Sequence, residues 1–457
     1  MASTVIDSEL LGGNFGDDRF RAVFSDEALV ADLLRTEAAL ARAEARLGII
    51  PAAAAEEIVA KCDPALYPLE QLRRGMEATG HVLVPLLRQL TAACAGDAGG
   101  YVHWGATTQD IVDTANMLRN KRAVALLVAD LRAITATLAE LAGREADTVI
   151  AGRTHGQHAL PTTFGYKAAV WAWEMKRQVE RWEQAAPRCL VGNLTGAVGS
   201  FAGFGERGPE VQRLALEELG LGVPEICWHT ARDRSAEIAA LLTLTAGTLE
   251  KIAGEIYRLQ TTEYGEVEEP FFEGKVGSST MPHKRNPSLC EAVLTACKAA
   301  RAEASMVFEV MAQEHERQSS FWKTEWVGLP NAFILVGGAA SKLIAVLKGL
   351  NVRRDRMARN LGLSHGLMLS EAVMLRLGRF VGRERAHQIV YQASMRAFEE
   401  DRPLGECLKE VPEVMAHLSE AELDRLLDAR SYVGQAPVLA RRAAEALGRA
   451  GTGGGDG

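Results

Sequence analysis

The segment between Phe272 and Asn286 combines glycines, adjacent serines, a histidine, basic residues and an asparagine in one short polar stretch. Glycine lets the backbone approach a ligand closely. We predict that a helix begins at Pro287 after an Asn286 cap, because both residue types are favoured at those positions. The unpaired N–H groups of a helix start favour an anion, and Lys284 adds a positive charge beside them. The segment is therefore either a carboxylate-binding loop or a solvated interhelical loop with a cap.

A carboxylate-binding loop that carries serines suits the removal of a proton from a carbon next to a carboxylate. Such a reaction builds up a doubly charged aci-carboxylate, so cations and N–H groups must already point at the oxygens that gain charge. A serine hydroxyl is a poor base unless its oxyanion is stabilised. A cationic, N–H-rich loop could provide that stabilisation while it closes over the substrate and excludes water. This chemistry requires no metal ion and no organic cofactor.

Two further polar clusters, at residues 103–110 and 152–158, are candidates for substrate binding. We place both at the starts of helices. Thr107 and Asp110 have capping-box spacing, so a helix cap is the simplest role for the threonine. The two histidines of the second cluster could form a metal pair, but a third ligand is missing. A proline just downstream of them favours an irregular segment.

The elements that position these clusters are predicted to be helices. Helical periodicity recurs over long stretches, and period-2 strand patterns are scarce. Apolar residues fall on one stripe from Leu127 to Leu141 and again from Ile238 to Leu259. A third long helix is predicted from Pro287 to about Gln313. Helices of this length pack along one another and expose broad apolar faces, so we predict an all-α protein that forms oligomers.

We divide the chain into three helical domains and a tail. The N-terminal domain covers residues 1–112, and its clearest helix is predicted from Ala31 to Leu47. The central long-helix bundle with the polar loop covers 113–362, and a C-terminal helical domain covers 363–447. The glycine-rich tail, 448–457, is predicted to be disordered.

The composition argues against several classes of protein. The 51 basic residues are interspersed with 59 acidic ones, and the net charge is −8, so neither nucleic acid nor an anionic membrane is expected as a partner. Seven scattered cysteines show no disulfide or zinc-site spacing. The N-terminal segment lacks a signal-peptide pattern, and no stretch approaches 18 uninterrupted apolar residues. We therefore expect a cytoplasmic protein.

The string from Gly277 to Pro287 resembles the signature of the aspartase/fumarase superfamily of lyases, Gly-Ser-Ser-x-Met-Pro-x-Lys-x-Asn-Pro. Eleven ordered positions, eight of them with a specified residue, are hard to match by accident. The resemblance extends over nearly the whole chain. It implies three helical domains around a central bundle of long helices, and a homotetramer whose active sites are each built from three subunits.

The resemblance also implies roles for individual residues. Ser278 matches the catalytic base, and His155 matches a residue that acts as the general acid or helps one. Lys284 and Asn286 match the residues that hold a substrate carboxylate. The other expected substrate-binding residues are His81, His103, Thr107, Thr108, Gln109, Arg153, Thr154, Gln157, Ser279 and Met281.

The signature does not identify the substrate, because enzymes with different substrates share this scaffold. Residues 228–234 and 313–326 resemble the 3-carboxy-cis,cis-muconate cycloisomerases. Those enzymes typically carry a tryptophan where this chain has His155, and the cluster at 152–158 resembles adenylosuccinate lyases instead. The arginine-tyrosine-serine stretch usual near the N-terminus of adenylosuccinate lyases is absent, since residues 14–19 read Asn-Phe-Gly-Asp-Asp-Arg.

We therefore expect an anti β-elimination that cleaves the C–N bond of a nitrogen-substituted succinate, such as nitrosuccinate, and releases fumarate. The alternatives are a 3-carboxy-cis,cis-muconate cycloisomerase, an adenylosuccinate lyase and a catalytically inactive scaffold homologue. Trp322 and Trp326 are expected to pack together on one helix face. Four further side chains could contact substrate or belong to structural networks: Arg232, Arg234, His229 and His315.

Overall fold

The structure is a computed structural model, and it describes residues 4–271, 280–281 and 283–448. The predicted all-α fold class is confirmed, because long helices dominate the described residues and strands are few. The α-helices are Gly12–Phe15 (α1), Asp18–Val23 (α2), Asp26–Arg46 (α3), Ala52–Lys61 (α4), Leu69–Thr79 (α5), Val84–Ala93 (α6), Thr108–Arg144 (α7), Phe164–Cys189 (α8), Gly208–Leu219 (α9), Asp233–Leu259 (α10), Ser288–Glu309 (α11), Ser319–Lys348 (α12), Arg354–Leu361 (α13), Ser370–Val381 (α14), Arg383–Glu399 (α15), Leu404–Lys409 (α16), Pro412–Met415 (α17), Glu420–Leu426 (α18) and Ala436–Gly448 (α19). The strands are Val149–Thr154 (β1), Gln157–Thr163 (β2), Val267–Glu268 (β3) and Asn351–Val352 (β4).

The apolar stripes predicted from the sequence are the buried faces of α7 and α10. Leu131, Ile134 and Leu138 of α7 are fully buried, as are Leu242 and Leu249 of α10. Their spacing of three and four residues places each set on one side of its helix. The helix predicted from Ala31 to Leu47 corresponds to α3, which begins five residues earlier and ends one residue earlier, at Arg46. Periodicity therefore identified these helices correctly.

The chain forms two compact units, each assembled from three stretches of sequence. The first comprises the described residues of Met1–Asp130, Gln178–Glu250 and Ala292–Ser341. The second comprises those of Leu131–Arg177, Lys251–Glu291 and Lys342–Gly457. The predicted boundaries at residues 112 and 362 divide the chain along its sequence and stay a prediction. Of the predicted tail, Gly448 ends α19, and the remaining residues lie outside the described part.

Aromatic and hydroxyl side chains join the helices of the first unit. Trp182 packs against Phe333 with a ring-centroid distance of 6.2 Å, and Phe24 stacks on Phe333 at 5.7 Å. The buried Trp182 indole donates from Nε1 to Thr245 Oγ1 at 3.0 Å. A buried indole N–H needs such an acceptor, so this bond fixes the ring that the core packs around.

The second unit contains an antiparallel hairpin formed by β1 and β2. Its two-residue turn is His155-Gly156, and both residues have positive φ, 53° and 76°. Two consecutive positive φ values are the geometry of a type I′ hairpin turn. The prediction that residues 152–158 start a helix was therefore wrong. The helix begins only at Phe164, where α8 follows the second strand.

Helix α12 is the most apolar long helix of the described residues. By length and composition it could cross a membrane, but 67% of its most apolar 18-residue window is buried inside the protein. A helix that is apolar on all sides is also what a buried core position requires. In the second unit, α14, α15, α16 and α18 surround a separate small core that includes Leu377, Ile389, Leu404 and Leu423.

Candidate active site

The signature loop runs into the start of α11, which lies in the second unit, and the structure describes the last residues of the loop. The helix begins at Ser288, one residue later than predicted, and Pro287 O accepts the first helical hydrogen bond from Glu291 N at 3.0 Å. The two expected loop residues Ser278 and Ser279 lie outside the described residues. Of the signature, the structure therefore places Thr280, Met281 and residues 283–287.

The anion at the start of α11 belongs to the chain itself. The Glu269 side-chain carboxylate accepts hydrogen bonds from Leu289 N at 3.1 Å and Cys290 N at 3.1 Å, and from Ser288 Oγ at 3.4 Å. Glu269 is 4% exposed. A buried carboxylate there satisfies the free N–H groups and the positive end of the helix dipole. The expectation that these N–H groups wait for a substrate carboxylate was wrong, and sequence reasoning missed Glu269.

A glutamine holds the other side of the same segment. The side chain of Gln260 donates from Nε2 to Arg285 O at 3.2 Å and accepts from Glu269 N at 2.8 Å. Glu269 and Gln260 together therefore fix the backbone on both sides of Asn286. Because this segment carries Lys284 and Asn286, the two fixing residues decide where the candidate carboxylate ligands stand.

A cavity of about 1100 Å³ lies beside this segment in the second unit. Met281, Lys284 and Asn286 contribute to its wall, together with Arg353 and Arg356. The Lys284 side chain is exposed and makes no hydrogen bond or ion pair within the described part of the chain. An ammonium group with no internal partner is available to an anionic ligand.

The hairpin residues of the candidate site fall into two groups. Thr154, His155 and Gln157 are exposed at the turn. Arg153 is instead engaged internally, since its guanidinium binds both carboxylate oxygens of the buried Glu266 at 2.8 and 2.9 Å. Such a bidentate pair is geometrically specific and orients the strand from which the turn projects.

Two neighbours complete the environment of this ion pair. Asn360 Nδ2 donates to Glu266 at 2.9 Å, and the Arg153 guanidinium lies 4.7 Å from the ring centroid of Tyr264. Burial, and to a smaller extent the charge of Arg153, lower the pKa of the neighbouring His158. His158 therefore favours its neutral form beside the hairpin.

The threonines of the first cluster lie at the start of α7 in the first unit. Thr107 N donates to Asp110 Oδ2 at 3.0 Å, which is the carboxylate half of the predicted capping box. Thr108 Oγ1 lies 3.4 Å from His81 Nε2. Nδ1 of the same histidine accepts from Leu83 N and Val84 N, so the neutral ring carries its proton on Nε2 and can donate it to Thr108.

Gln109, expected to bind substrate, has its side-chain amide occupied within the protein. Its Nε2 donates to His229 O at 2.9 Å and to Asp113 Oδ2 at 3.1 Å, and its Oε1 accepts from Arg317 Nε at 2.7 Å. The residue is 1% exposed. In this arrangement the amide connects α7 to two other parts of the first unit.

His103 is held by a carboxylate on α3. Its Nδ1 lies 2.7 Å from Glu37 Oε1, and its backbone has a positive φ of 61°. Burial opposes the charged imidazole, but the charge and hydrogen bond of Glu37 together outweigh it and raise the pKa of His103. The ring therefore retains a proton more readily than a free histidine does.

A buried network contains Arg232 and the two tryptophans that were expected to pack together. Arg232 donates to Asp113 Oδ2 at 2.8 Å and Glu325 Oε1 at 2.6 Å, and its side chain is 1% exposed. Trp322 Nε1 donates to Asp113 Oδ1, and its ring meets that of Trp326 edge-on at 4.9 Å. Arg232 is thus a structural residue, and the tryptophans pack together as expected.

The other three side chains that could contact substrate differ in their exposure to solvent. Arg234 donates to Arg188 O at 2.9 Å and pairs with the exposed Glu225 at 3.2 Å. His229 is buried and bonded to Asp110, while His315 is exposed. Among the described residues, no group of three or more histidine, cysteine or carboxylate side chains is placed to hold a metal ion.

Comparison with known proteins assigns the chain to a family. Residues 13–301 match the family model described as Lyase, and residues 366–443 match that of the adenylosuccinate lyase C-terminus. The N-acetyl-S-(2-succino)cysteine lyase of Dickeya dadantii (strain 3937) is 43% identical over 437 residues, which cover 96% of each chain. The 3-carboxy-cis,cis-muconate cycloisomerase of Pseudomonas aeruginosa PAO1 is 45% identical and is matched over 96% of this chain and 97% of its own.

A solved structure agrees with these relatives. The crystal structure of a fumarate lyase from Mesorhizobium sp. BNC1 matches with a TM-score of 0.89 and 42% identity, over 94% of this chain and 98% of that one. The resemblance drawn from the signature loop is thereby confirmed. The chain belongs to the aspartase/fumarase superfamily and is a lyase.

Proposed function

We propose that the protein catalyses anti β-elimination from a 2-substituted succinate and releases fumarate, with Ser278 as the general base. The observation that carries this proposal is the fixed end of the signature loop. Glu269 and Gln260 hold the backbone there, and Lys284 faces a large cavity with its charge unpaired among the described residues. Such a preorganised cation is what a developing aci-carboxylate needs.

The proposed roles follow from this requirement. Ser278 takes the proton from the carbon next to one substrate carboxylate, and Lys284 and Asn286 bind the oxygens that gain charge. Met281 contributes to the cavity wall on the loop side, and Ser279 is assigned to substrate binding from the signature. Because the helix dipole of α11 is already neutralised by Glu269, the substrate charge is balanced mainly by side chains.

The hairpin and the start of α7 supply the remaining proposed contacts. His155 stands exposed on the two-residue hairpin turn, where it can protonate the leaving group, with Thr154 and Gln157 beside it. His81 and Thr108 form a hydrogen-bonded pair that can bind a second carboxylate. His103 and Thr107 are assigned to the same region.

Two residues are proposed to position other groups and not to bind substrate. Arg153 and Gln109 were expected to touch substrate, but their polar atoms are used by Glu266 and by three groups of the first unit, respectively. Breaking a buried pair to contact a ligand leaves the partner unsatisfied, at a cost of about 3–5 kcal/mol. We therefore assign both residues to positioning the elements that carry His155 and Thr108.

The proposal also specifies which atom leaves the succinate. We favour a sulfur substituent, as in N-acetyl-S-(2-succino)cysteine, because a lyase named for that compound shares 43% of its residues with this chain over nearly its whole length. A thiolate also leaves more easily than an amine, since the pKa of a thiol is only about 8.5. The second candidate is the nitrogen-substituted succinate expected from the sequence, such as nitrosuccinate, which the histidine at position 155 equally suits.

The proposed assembly is a homotetramer in the cytoplasm that acts on a small carboxylate substrate. Exposed apolar side chains on α8, among them Val170 and Trp173, are consistent with an oligomer surface. In a tetramer the loop, the hairpin and the start of α7 would come from different subunits at each active site. The substrate pocket would then be complete only in the assembly.

A panel of substrates tests the reaction and the leaving group together. The protein is incubated separately with N-acetyl-S-(2-succino)cysteine, nitrosuccinate, adenylosuccinate and 3-carboxy-cis,cis-muconate. Proton NMR follows fumarate release from the first three compounds and formation of the lactone from the fourth, since cycloisomerisation releases no fumarate. We expect fumarate from the sulfur compound at the highest kcat/KM. Highest turnover of nitrosuccinate would replace the sulfur proposal with the nitrogen one. If a folded oligomer turns over none of the four compounds, the scaffold alternative is favoured and the proposal fails.

A further inference from the structure

The first unit holds a cysteine, a histidine and an aspartate in contact outside the proposed substrate contacts. His229 Nε2 lies 2.9 Å from Asp110 Oδ1, and the two residues are 2% and 0% exposed. Cys227 stands two residues before His229 and is half-buried. A carboxylate, an imidazole and a thiol in this succession are the groups that can activate a thiol as a nucleophile.

The other ring nitrogen of His229, Nδ1, indicates the role of the Cys227 thiol. His229 Nδ1 is buried and has no partner at hydrogen-bond geometry in the described part of the chain. The Cys227 thiol is the ionisable neighbour with which this imidazole interacts, besides Asp110. Because Asp110 accepts the Nε2 proton, a proton on Nδ1 makes the ring an imidazolium beside the sulfur.

Other polar groups are also directed at the sulfur. Thr195 Oγ1 donates to Cys227 Sγ at 3.3 Å, and Asn193 Nδ2 lies 3.9 Å from the same atom. Hydrogen-bond donors around a sulfur stabilise its thiolate form. The site therefore offers a thiolate an imidazolium, a hydroxyl and an amide.

The titration of these groups agrees with that geometry. Burial alone would raise the pKa of the Cys227 thiol, but the adjacent His229 and the hydrogen bond from Thr195 lower it to about 7. Burial would lower the pKa of His229, yet Asp110 and Cys227 raise it to about 9. These opposite shifts favour the thiolate of Cys227 and the imidazolium of His229. Burial raises the pKa of Cys62 to about 12, which keeps that thiol protonated.

We propose that Cys227 is a nucleophilic thiol held by the Asp110–His229 pair, and that it is a site of oxidation by peroxide. The thiolate sulfur attacks one peroxide oxygen, the O–O bond breaks, and the leaving hydroxide takes the Nδ1 proton of His229 to form water. The sulfur is oxidised by two electrons to a sulfenic acid, and the peroxide is reduced. The imidazolium thereby serves as both the partner of the thiolate and the proton donor.

Oxidation here would disturb the start of α7. The sulfur is packed so closely against Gly199 that no Cβ could be accommodated there. An added oxygen must therefore displace the adjoining turn, in which Thr195 N and Gly196 N donate to Asp110 at 3.0 and 2.8 Å. Asp110 also accepts from Thr107 N, so the change reaches Thr107 and Thr108. This last step rests on the proposed function.

Selective alkylation tests the thiol without any assay of catalysis. The full protein is treated briefly with iodoacetamide across pH 6–9, and the modification of each cysteine is followed by peptide mass spectrometry. Cys62 and Cys94 are matched controls, because they are half-buried like Cys227 and burial raises the pKa of both. We expect Cys227 to react at least about 10-fold faster than either at pH 7, with a midpoint near pH 7. Equal rates at the three cysteines, or a midpoint near that of a free thiol, would overturn the proposal.

A second arm tests the oxidation. Wild type and Cys227→Ser are treated with hydrogen peroxide, and a sulfenic-acid probe and fumarate release are both measured. We expect the probe to label wild type at Cys227, and the serine variant to keep its initial activity after a treatment that inactivates wild type. Labelling without loss of activity would retain the modification site and remove the link to α7. Absence of labelling at Cys227 would contradict the proposal, whatever the activity.

Discussion

Glu44 is a single carboxyl group in the first unit for which the structure provides no hydrogen-bond partner. It is 1% exposed, and neither carboxyl oxygen is satisfied in the described part of the chain. Burial, with the nearby charge of Glu37, raises its pKa from 4.5 to about 9. The folded protein therefore keeps this group neutral at physiological pH, whereas the unfolded chain ionises it.

This difference predicts how stability changes with pH. Because the folded pKa is the higher one, the contribution of Glu44 to folding is fully present below pH 4.5 and is lost as the pH rises towards 9. Glu44→Gln removes the proton equilibrium, so its melting temperature should match wild type near pH 5 and exceed it at pH 8. Thermal unfolding at the two pH values measures this, with the exposed Glu56→Gln as a control. A variant that is less stable than wild type at pH 8 would contradict the assignment.

At the same scale, the sequence predicts contacts between near neighbours and misses distant ones. The Thr107–Asp110 cap could be predicted because the two residues are one helical turn apart. The engagement of Arg153 by Glu266 and of Gln109 by Arg317 could not, since 113 and 208 residues separate the partners. Family resemblance places these residues near the site, but only the structure shows that their polar atoms are already used.

At the scale of elements, periodicity predicts α7 and α10 because each buries one regular stripe. The hairpin was missed because its turn, His155-Gly156, needs two positive φ values, and the usual sequence signals for such a turn are Asn-Gly, Asp-Gly and Gly-Gly. The start of α11 was predicted to within one residue. The side chain that caps the start of α11 was not predicted. Glu269 lies 18 residues before Pro287, on the other side of the loop, and could not be paired with the helix from sequence alone.

The Glu269 cap gives a prediction that belongs to α11 as a whole. Glu269→Ala leaves the first N–H groups of the helix unsatisfied and releases one fixing point of the segment that carries Lys284. We expect a loss of about 1–2 kcal/mol in the free energy of unfolding, as for other lost helix caps, and a raised KM because the carboxylate ligands are less well placed. Urea unfolding and steady-state kinetics measure the two effects.

Glu399→Ala is the matched control for that variant, since Glu399 is exposed on α15 in the second unit and does not line the cavity beside Lys284. It should change neither stability nor KM. If Glu269→Ala loses stability but keeps the wild-type KM, the cap supports the helix without positioning the ligands. Our assignment of Glu269 as a positioning residue would then be wrong.

At the scale of the whole molecule, the family and the fold class follow from one short signature and from helix periodicity, and the comparisons confirm both. The substrate does not follow in the same way. Relatives of nearly equal identity carry the names N-acetyl-S-(2-succino)cysteine lyase and 3-carboxy-cis,cis-muconate cycloisomerase, so overall similarity does not separate the two activities. In the proposed active site, the groups that recognise the leaving group come from several elements, and in the proposed tetramer from several chains.

The most direct test of the proposed reaction compares fumarate release by wild type and by Ser278→Ala. The proton NMR signal of fumarate is followed during incubation with N-acetyl-S-(2-succino)cysteine, and light scattering checks that both proteins have the same oligomeric state. We predict that wild type releases fumarate and thiol in equal amounts, and that the variant keeps its fold but turns over about 10²–10⁴-fold more slowly. Fumarate release by Ser278→Ala at the wild-type rate would contradict the assignment of the base and with it the proposed mechanism.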